Sequence, residues 1–456
     1  MDKRILKRLE KLAEKVQSRE SIVVHRISDN EAEQRAYYRL LHNEKLSVEE
    51  LSKYIIDDCR RQVKPGKTYL VFQDTTQPSF ERNRGNIKAN SGLGVISDNK
   101  TLGFFLHPGL VLEADTYRSI GYSFIHTWSR DGQKAKCTQR DYKNEPIEEK
   151  ESYRWLRCVQ QSREVLSQAG QVVVVSDREG DIYEVLDRLP DEHTHVLVRG
   201  RASRMVLNEK GQREKLGHVI ERQPLAGTYS LTIQADKRKG RAGRKAIMEV
   251  RFTPVGLVPP KRLGGGTQVQ NKLFVVEAKE SASSCPQGEK PIHWLLLTSC
   301  EISSIEDAMQ VIEWYKGRWN AEQVFRLAKR KGLNIEESDL ETGHSIIKMA
   351  LLAIFAASKI ILLHQASKQE EELPLESTFT EKQKQCLASV NQSMEGKTQK
   401  QKNPYSPHTL QWAYWVFARL GGWKPHEKQA GVITLFRGWQ RFNQIFEGWQ
   451  LAQNVS

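Results

Sequence analysis

Residues 171–181 read QVVVVSDREGD. The valine run between Gln171 and Ser176 is short and wholly apolar, as a strand buried on both faces of a sheet requires. It runs straight into Asp177-Arg178-Glu179-Gly180-Asp181. Upstream, TYLVFQDTT at 68–76 repeats the pattern, an apolar run leading into Asp74. Between them lie strand-like runs at 103–107, 109–114 and 119–127 and a predicted helix over 148–169, opened by Glu148, Glu149 and Glu151 and closed by Gly170. This order predicts a mixed α/β sheet, and in such sheets ligands gather at strand ends. Asp74 and Asp177 also fit as plain turn starters, and taken singly neither signals chemistry.

A third acid stands in VIEWYKGRWNAEQVFRLAKRKGLNIEE, residues 311–337. The spacing predicts one helix. At about 100° per residue from Tyr315, the residues Arg318, Glu322, Arg326 and Lys329 fall at about 300°, 340°, 20° and 320°, a single stripe. Asn320, Val324, Leu327, Ala328 and Trp314 fall opposite, toward a core. Two assignments fit. The stripe is a solvated face in which Glu322 pairs with Arg318 and Arg326 at i±4, or Glu322 holds a divalent metal while the cations hold phosphates.

The 456 residues suffice for two or three domains. Seventy Lys and Arg against 56 Asp and Glu give a formal charge of +14, which favours a polyanionic partner, nucleic acid before an anionic membrane. Cys59, Cys137, Cys158, Cys285, Cys300 and Cys386 form no CxxC pair and no zinc spacing, so free thiols in a reducing cytosol are expected. Met1-Asp2-Lys3-Arg4 leads into a charged helix, not a secretory signal. The apolar run Met349–Leu363 is broken by Lys359 and predicts a buried helix, so no membrane partner is expected.

Helices are predicted over 3–17, 30–43 and 47–60. The first sets Ile5, Leu6, Leu9, Leu12 and Val16 among lysines and arginines, a face suited equally to solubility and to DNA. Residues 194–300 carry short alternating runs at 195–199, 228–234, 246–252, 272–278 and 293–298, a β-rich insertion. Within it lie Lys237, Arg238, Lys239, Arg241, Arg244 and Lys245, a cationic run that is either a solvated loop or a phosphate contact. The glycines at 264–266 fit no phosphate-loop template. A hydrophobic helix is expected at 345–366 and a polar linker at 367–408. Trp412, Tyr414, Trp415, Phe417, Trp423, Phe436, Trp439, Phe442 and Phe446 then form an aromatic tail, either helical core or, the favoured assignment, a self-association surface.

Asp74, Asp177 and Glu322 together are a set of carboxylates suited to two divalent cations roughly 4 Å apart. Oxygen ligands favour Mg²⁺, with Mn²⁺ as a substitute. Such a pair activates an attacking hydroxyl and stabilises a leaving 3′ oxygen, and Tyr315, Arg318 and Lys329 could grip the flanking phosphates.

The chain resembles the DDE transposases of bacterial insertion sequences, in the subgroup with a Tyr-Arg-Glu-Lys signature and a hairpin cut-and-paste mechanism. Tyr315, Arg318, Glu322 and Lys329 match that signature at every gap. FQDTT around Asp74, SDREGDIYE around Asp177, HWLLLTS at 293–299 and LQWAYWVFARLGG at 410–422 are similar to further family segments. The resemblance implies a helical DNA-binding region at 1–66 and a ribonuclease-H-like core at 67–193 and 301–366. It also implies a β-rich insertion at 194–300 and a helical dimerising region at 367–456. It implies that Asp74, Asp177 and Glu322 are metal ligands and that Tyr315, Arg318 and Lys329 contact phosphate, with Arg326 beside them. Trp294 would stack on a flipped base. The implied partners are double-stranded transposon ends and target DNA, bound by a homodimer in a bacterial, nucleoid-associated setting.

Family members commonly carry a further stretch ahead of the segment resembling Asp2–Leu12, so part of the end-recognition surface is expected to be missing. This keeps open a non-catalytic DNA-binding inhibitor of transposition. A metal-dependent nuclease without strand transfer is the other alternative.

Overall fold

The structure is a computed structural model. It describes the chain apart from residues 1, 20, 89–90, 132–143, 234, 236–241, 264–271, 330–331, 376–378, 426–428 and 456. Helices α1 (Lys3–Arg19), α2 (Val24–Ile27), α3 (Glu31–His42) and α4 (Val48–Arg61) lead to β1 (Thr68–Gln73). The short β2 (Gly94–Val95) and β3 (Leu102–Gly103) precede β4 (Phe105–Glu113) and β5 (Ser119–Trp128). Then come α5 (Tyr153–Val165), β6 (Gln171–Ser176), α6 (Tyr183–Arg188), β7 (Thr194–Arg199), β8 (Met205–Leu207), β9 (Arg213–Lys215) and α7 (Leu216–Glu221). Strands β10 (Gly227–Ile233), β11 (Arg244–Leu257), β12 (Leu273–Glu280) and β13 (His293–Thr298) lead into α8 (Ile305–Lys316) and α9 (Trp319–Ala328). The chain ends with α10 (Gly343–Ala366), α11 (Glu381–Met394), α12 (Leu410–Leu420) and α13 (Val432–Val455).

Two compact units divide these elements. One comprises residues 64–74 and 135–318, the other residues 1–63, 75–134 and 319–456.

The first unit is built on a mixed sheet. Strand β6 pairs in parallel with β1 and with β7, while β7–β13, β13–β12 and β12–β11 are antiparallel. β10 and β8 flank β11, and β9 pairs with β8. Val172 to Val175 of β6 are buried, as a central strand covered on both faces must be. Helix α5 packs on β1 and β6 and buries Trp155, Leu156, Cys158 and Val159. It is shorter than the predicted 148–169, because Glu148 and Glu149 sit in a separate short turn and the backbone at Leu166 leaves the helix. The runs of 194–300 are strands, and the outer ones, β7 and β13, join the sheet of β1 and β6 through the pairing just described.

The second unit is organised around α10. This helix contacts α1, α3, α4, α9, α12, α13 and β5, and most of its apolar span is buried. By length and composition it could cross a membrane; here it is a core helix. The Tyr122 hydroxyl of β5 donates to the Ile354 carbonyl at 2.7 Å. Lys348 Nζ donates to the carbonyls of Leu41 (2.7 Å) and Asn43 (3.2 Å) and so closes the end of α3. Asn30 and Ser47 cap α3 and α4 through side-chain acceptors. On α1, Leu9, Leu12 and Val16 are buried while Lys3, Arg4, Lys7 and Arg8 are exposed.

Several sequence expectations need correction. Most of the runs at 103–107 and 109–114 is one strand, β4, while Gly103 ends β3; Pro108 stays in register with Ile125, and a bulge follows at Gly109/Leu110. The stretch 367–408 is not only linker. Thr380 and Gln383 form a capping box that starts α11, and Cys386, Leu387 and Val390 are buried. The aromatic tail is core rather than a free surface: Trp412, Tyr414, Trp415, Phe417, Phe436, Trp439 and Phe442 are buried. Phe417 and Trp439 stack at 5.0 Å between ring centres. Toward the distal end of α13, Ile445 and Leu451 are exposed.

Candidate active site

The parallel register of β1 and β6 matches Phe72 with Val175. Two residues on, Asp74 and Asp177 therefore leave neighbouring strands at the same level, side by side. The register of β6 and β7 matches Ser176 with Val198, which sets Arg199 beside Asp177 at the same edge. Three adjacent strand ends thus carry two acids and a cation.

Local sequence fixes the Asp177 turn. An Asp177 carboxylate oxygen accepts from the Glu179 N–H at 2.8 Å. A Cβ on Gly180 would lie 2.2 Å from Ser176 Oγ and 2.6 Å from Ser176 Cβ, so only glycine lets the turn fold back on the strand end. Helix α8 then brings two signature residues to this edge. It starts at a reciprocal Ser304–Asp307 capping box. Arg318 Nη1 donates to Asp74 Oδ2 at 3.2 Å. Tyr315 is 6% exposed. Burial holds its phenol above the ordinary value, the charges of Arg318 and Arg199 oppose that shift, and Asp177 reinforces it. Tyr315 is thus a neutral hydroxyl in the company of Arg318, Arg199 and Asp177. Trp294 on β13 sets its ring edge against Tyr315 at 5.8 Å. It is half-buried, so part of the indole stays open.

The predicted single helix over 311–337 is two helices. The Gly317 N–H reaches back to Glu313 and Trp314, and the Arg318 N–H to Tyr315, a tightening that ends α8. The uniform stripe is lost with it: Tyr315 is buried and Trp314 is half-exposed, the reverse of the projection. The buried face of α9 does contain Asn320, Val324, Leu327 and Ala328, as projected.

Glu322, Arg326 and Lys329 belong to the other unit. Glu322 is exposed in the first turn of α9 and Arg326 one turn later. Lys329 follows the helix and donates to the Gln77 carbonyl at 2.8 Å. Trp319, at the start of α9, is 47% exposed with the Lys368 amine 5.9 Å from its ring centre.

Of the cationic run, Lys237, Arg238, Lys239 and Arg241 lie outside the described residues. Arg244 is engaged by Glu280 and Glu289, and Lys245 is exposed on β11.

One residue at this edge escaped sequence analysis, Arg199. Arg199 Nη2 donates to the His293 carbonyl at 3.0 Å, and its buried Nε has no partner. The signal for Arg199 was its place at the end of an apolar run, as with Asp74 and Asp177.

Among the described residues no three His, Cys, Asp or Glu side chains are gathered closely enough to hold a metal ion. The sheet unit supplies two carboxylates at one edge, an all-oxygen donor pair that suits a hard divalent cation. Arg318 shares that charge. This constellation can hold cations and phosphate oxygens.

Residues 153–358 match the family model described as the transposase DDE domain. That stretch, under half of the chain, takes in Asp177, Trp294, Tyr315, Arg318 and Glu322, with Asp74 upstream of it, and its similarity supports a DDE transposase domain there.

Proposed function

We propose that the chain is a cut-and-paste DNA transposase of the hairpin-forming, Tyr-Arg-Glu-Lys subgroup. The family match implies phosphoryl transfer on DNA with divalent metal ions. The observation that carries the finer assignment is the bond from Arg318, second member of the signature, to Asp74 at a strand end level with Asp177.

Asp74, Asp177 and Glu322 would hold the metal, with Mg²⁺ preferred, Mn²⁺ as substitute and two ions per site. Glu322 enters this set through the motif alone. Bound there, the ions would activate the attacking hydroxyl and stabilise the leaving 3′ oxygen. Arg318 and Arg199 orient the phosphate and offset its charge, and Tyr315 offers a neutral hydroxyl to a phosphate oxygen. Trp294 offers an aromatic face to a base displaced from the duplex. Arg326 and Lys329 on one unit and Lys245 on the other are further candidate phosphate contacts.

Four in-line displacements follow. Water nicks one strand, and the 3′ hydroxyl attacks the opposite strand to close a hairpin. A second water reopens it, and the 3′ hydroxyl then attacks target DNA. None needs a covalent enzyme intermediate. A homodimer would pair the two terminal repeats.

The test incubates purified protein and Mg²⁺ with a supercoiled plasmid carrying the element's ends, beside Asp177→Ala. Hairpin-ended fragments lost in the variant support the proposal. Cleavage without hairpins or joining identifies a nuclease instead. Binding without cleavage, even in Mn²⁺, identifies the inhibitor.

A further inference from the structure

A cavity of ≈ 520 Å³ in the sheet unit is lined by Arg201, Arg204, Arg213 and Lys261, with Asp181 the acid among its lining residues. Asp181 stands four residues after Asp177 and Arg201 two after Arg199, so two of the lining residues follow closely in the chain on strand ends that carry the candidate site.

Its floor is built. The Asp181 side chain is 2% exposed, and Arg204 Nη1 lies 2.8 Å from Asp181 Oδ1. The Arg201 N–H donates to Asp181 Oδ2 at 3.3 Å. Burial pushes the Asp181 carboxyl up while the Arg204 charge opposes it. The pair is poorly satisfied: Asp181 Oδ1 has no aligned hydrogen bond and Arg204 Nε is buried without a partner. A buried ion pair of this quality is a weak stabiliser. Its clear effect is to hold a guanidinium at the bottom of a cavity rimmed by exposed Arg201, Arg213 and Lys261. Tyr183 and Ser203 add hydroxyls, and Pro259 and Pro260 stiffen one wall. Four cations against one acid suit an anion.

We propose that this cavity binds backbone phosphates of duplex DNA, independently of sequence. The identity of the polyanion rests on the transposase assignment, and the shared chemistry with a free anion is the phosphate group.

The test measures binding of the full chain to a duplex without terminal repeats, in EDTA, across a salt series. Arg201→Ala/Arg213→Ala/Lys261→Ala is compared with wild type and with Arg201→Lys/Arg213→Lys. Loss of three phosphate contacts should weaken binding about tenfold or more at low salt and flatten the log affinity against log salt slope by about two to three. The lysine variant should stay within about twofold of wild type, because the contact is to charge. Wild-type affinity and slope in the alanine variant would overturn the proposal, as would equal loss in both variants. Thermal protection of wild type but not the alanine variant by inorganic phosphate, with duplex binding unchanged, would also overturn it in favour of a free anion. Because no cutting is measured, failure here is separable from failure of the transposase assignment.

Discussion

Arg318 Nη1 lies 3.2 Å from Asp74 Oδ2, and the two side chains are 19% and 20% exposed. A guanidinium so placed neutralises part of the charge that a divalent cation would use. Metal loading must therefore displace or share Arg318, and a DNA phosphate that draws the guanidinium away eases that loading. By linkage, metal and DNA binding at this edge should favour one another.

Removing the competitor should strengthen metal binding. A part-exposed pair is worth up to about 1 kcal/mol, roughly fivefold in affinity. Arg318→Gln should bind Mn²⁺ about that much more tightly in calorimetry, yet cleave DNA more slowly because a phosphate contact is gone. Unchanged or weaker Mn²⁺ binding would show that Arg318 does not compete for Asp74.

Glu322 lies in the other unit and joins the set of acids through the motif. If it is a ligand, Glu322→Gln and Asp177→Asn should each lose several kcal/mol of transition-state stabilisation. That is roughly a thousandfold or more in cleavage rate, with binding to terminal-repeat DNA retained. A Glu322→Gln protein that cleaves at the wild-type rate removes it from the set.

The strand ends were legible because an apolar run that stops at an acid leaves few structural options. Their juxtaposition was not, since it depends on the parallel register of β1 with β6. Arg199 was missed for the same reason: its neighbour Asp177 stands on another strand. The projection over 311–337 failed at Gly317, where an extra tightening ends α8, so the residues after it do not continue that helix's periodicity. Helical periodicity alone carries no sign of such a step. The aromatic tail was ambiguous because buried and exposed aromatics read alike until α12 and α13 are seen packed together.

That packing changes what an aromatic substitution should do. Phe417 is fully buried and touches Phe379, Trp439 and Phe442. Phe417→Ala should cost about 3–5 kcal/mol of stability, seen as a lower denaturation midpoint at every protein concentration. A loss that appears only in the association equilibrium, with the midpoint unmoved, would return Phe417 to an interface.

His364 supplies a pH dependence. Burial lowers its pKa from 6.5 to about 3, and its Nδ1 is buried without a partner. Above pH 6.5 the ring is neutral in both folded and unfolded chains and contributes no slope. As pH falls below 6.5 only the unfolded chain takes the proton, so stability drops by up to about 1.4 kcal/mol per pH unit. His364→Leu should flatten urea-unfolding stability between pH 6.5 and 5, a window above the ordinary carboxylate range. An unchanged slope would mean that the folded protein accepts the proton there.

Gly180 tests whether the Asp177 turn is set by close approach. A methyl group at this position meets Ser176 Oγ at 2.2 Å and Ser176 Cβ at 2.6 Å, and Ser176 is itself buried at the end of β6. Something must shift, and the nearest movable element is the turn that carries Asp177. A displacement of about 1 Å at a reacting centre can cost about a hundredfold in rate. Gly180→Ala should therefore cut slowly while binding DNA normally. Shaving the opposing residue with Ser176→Gly in the same chain should restore much of the rate, although each change alone lowers stability. If the double variant remains as slow as Gly180→Ala, the defect lies in the backbone conformation at 180 rather than in its contact with Ser176.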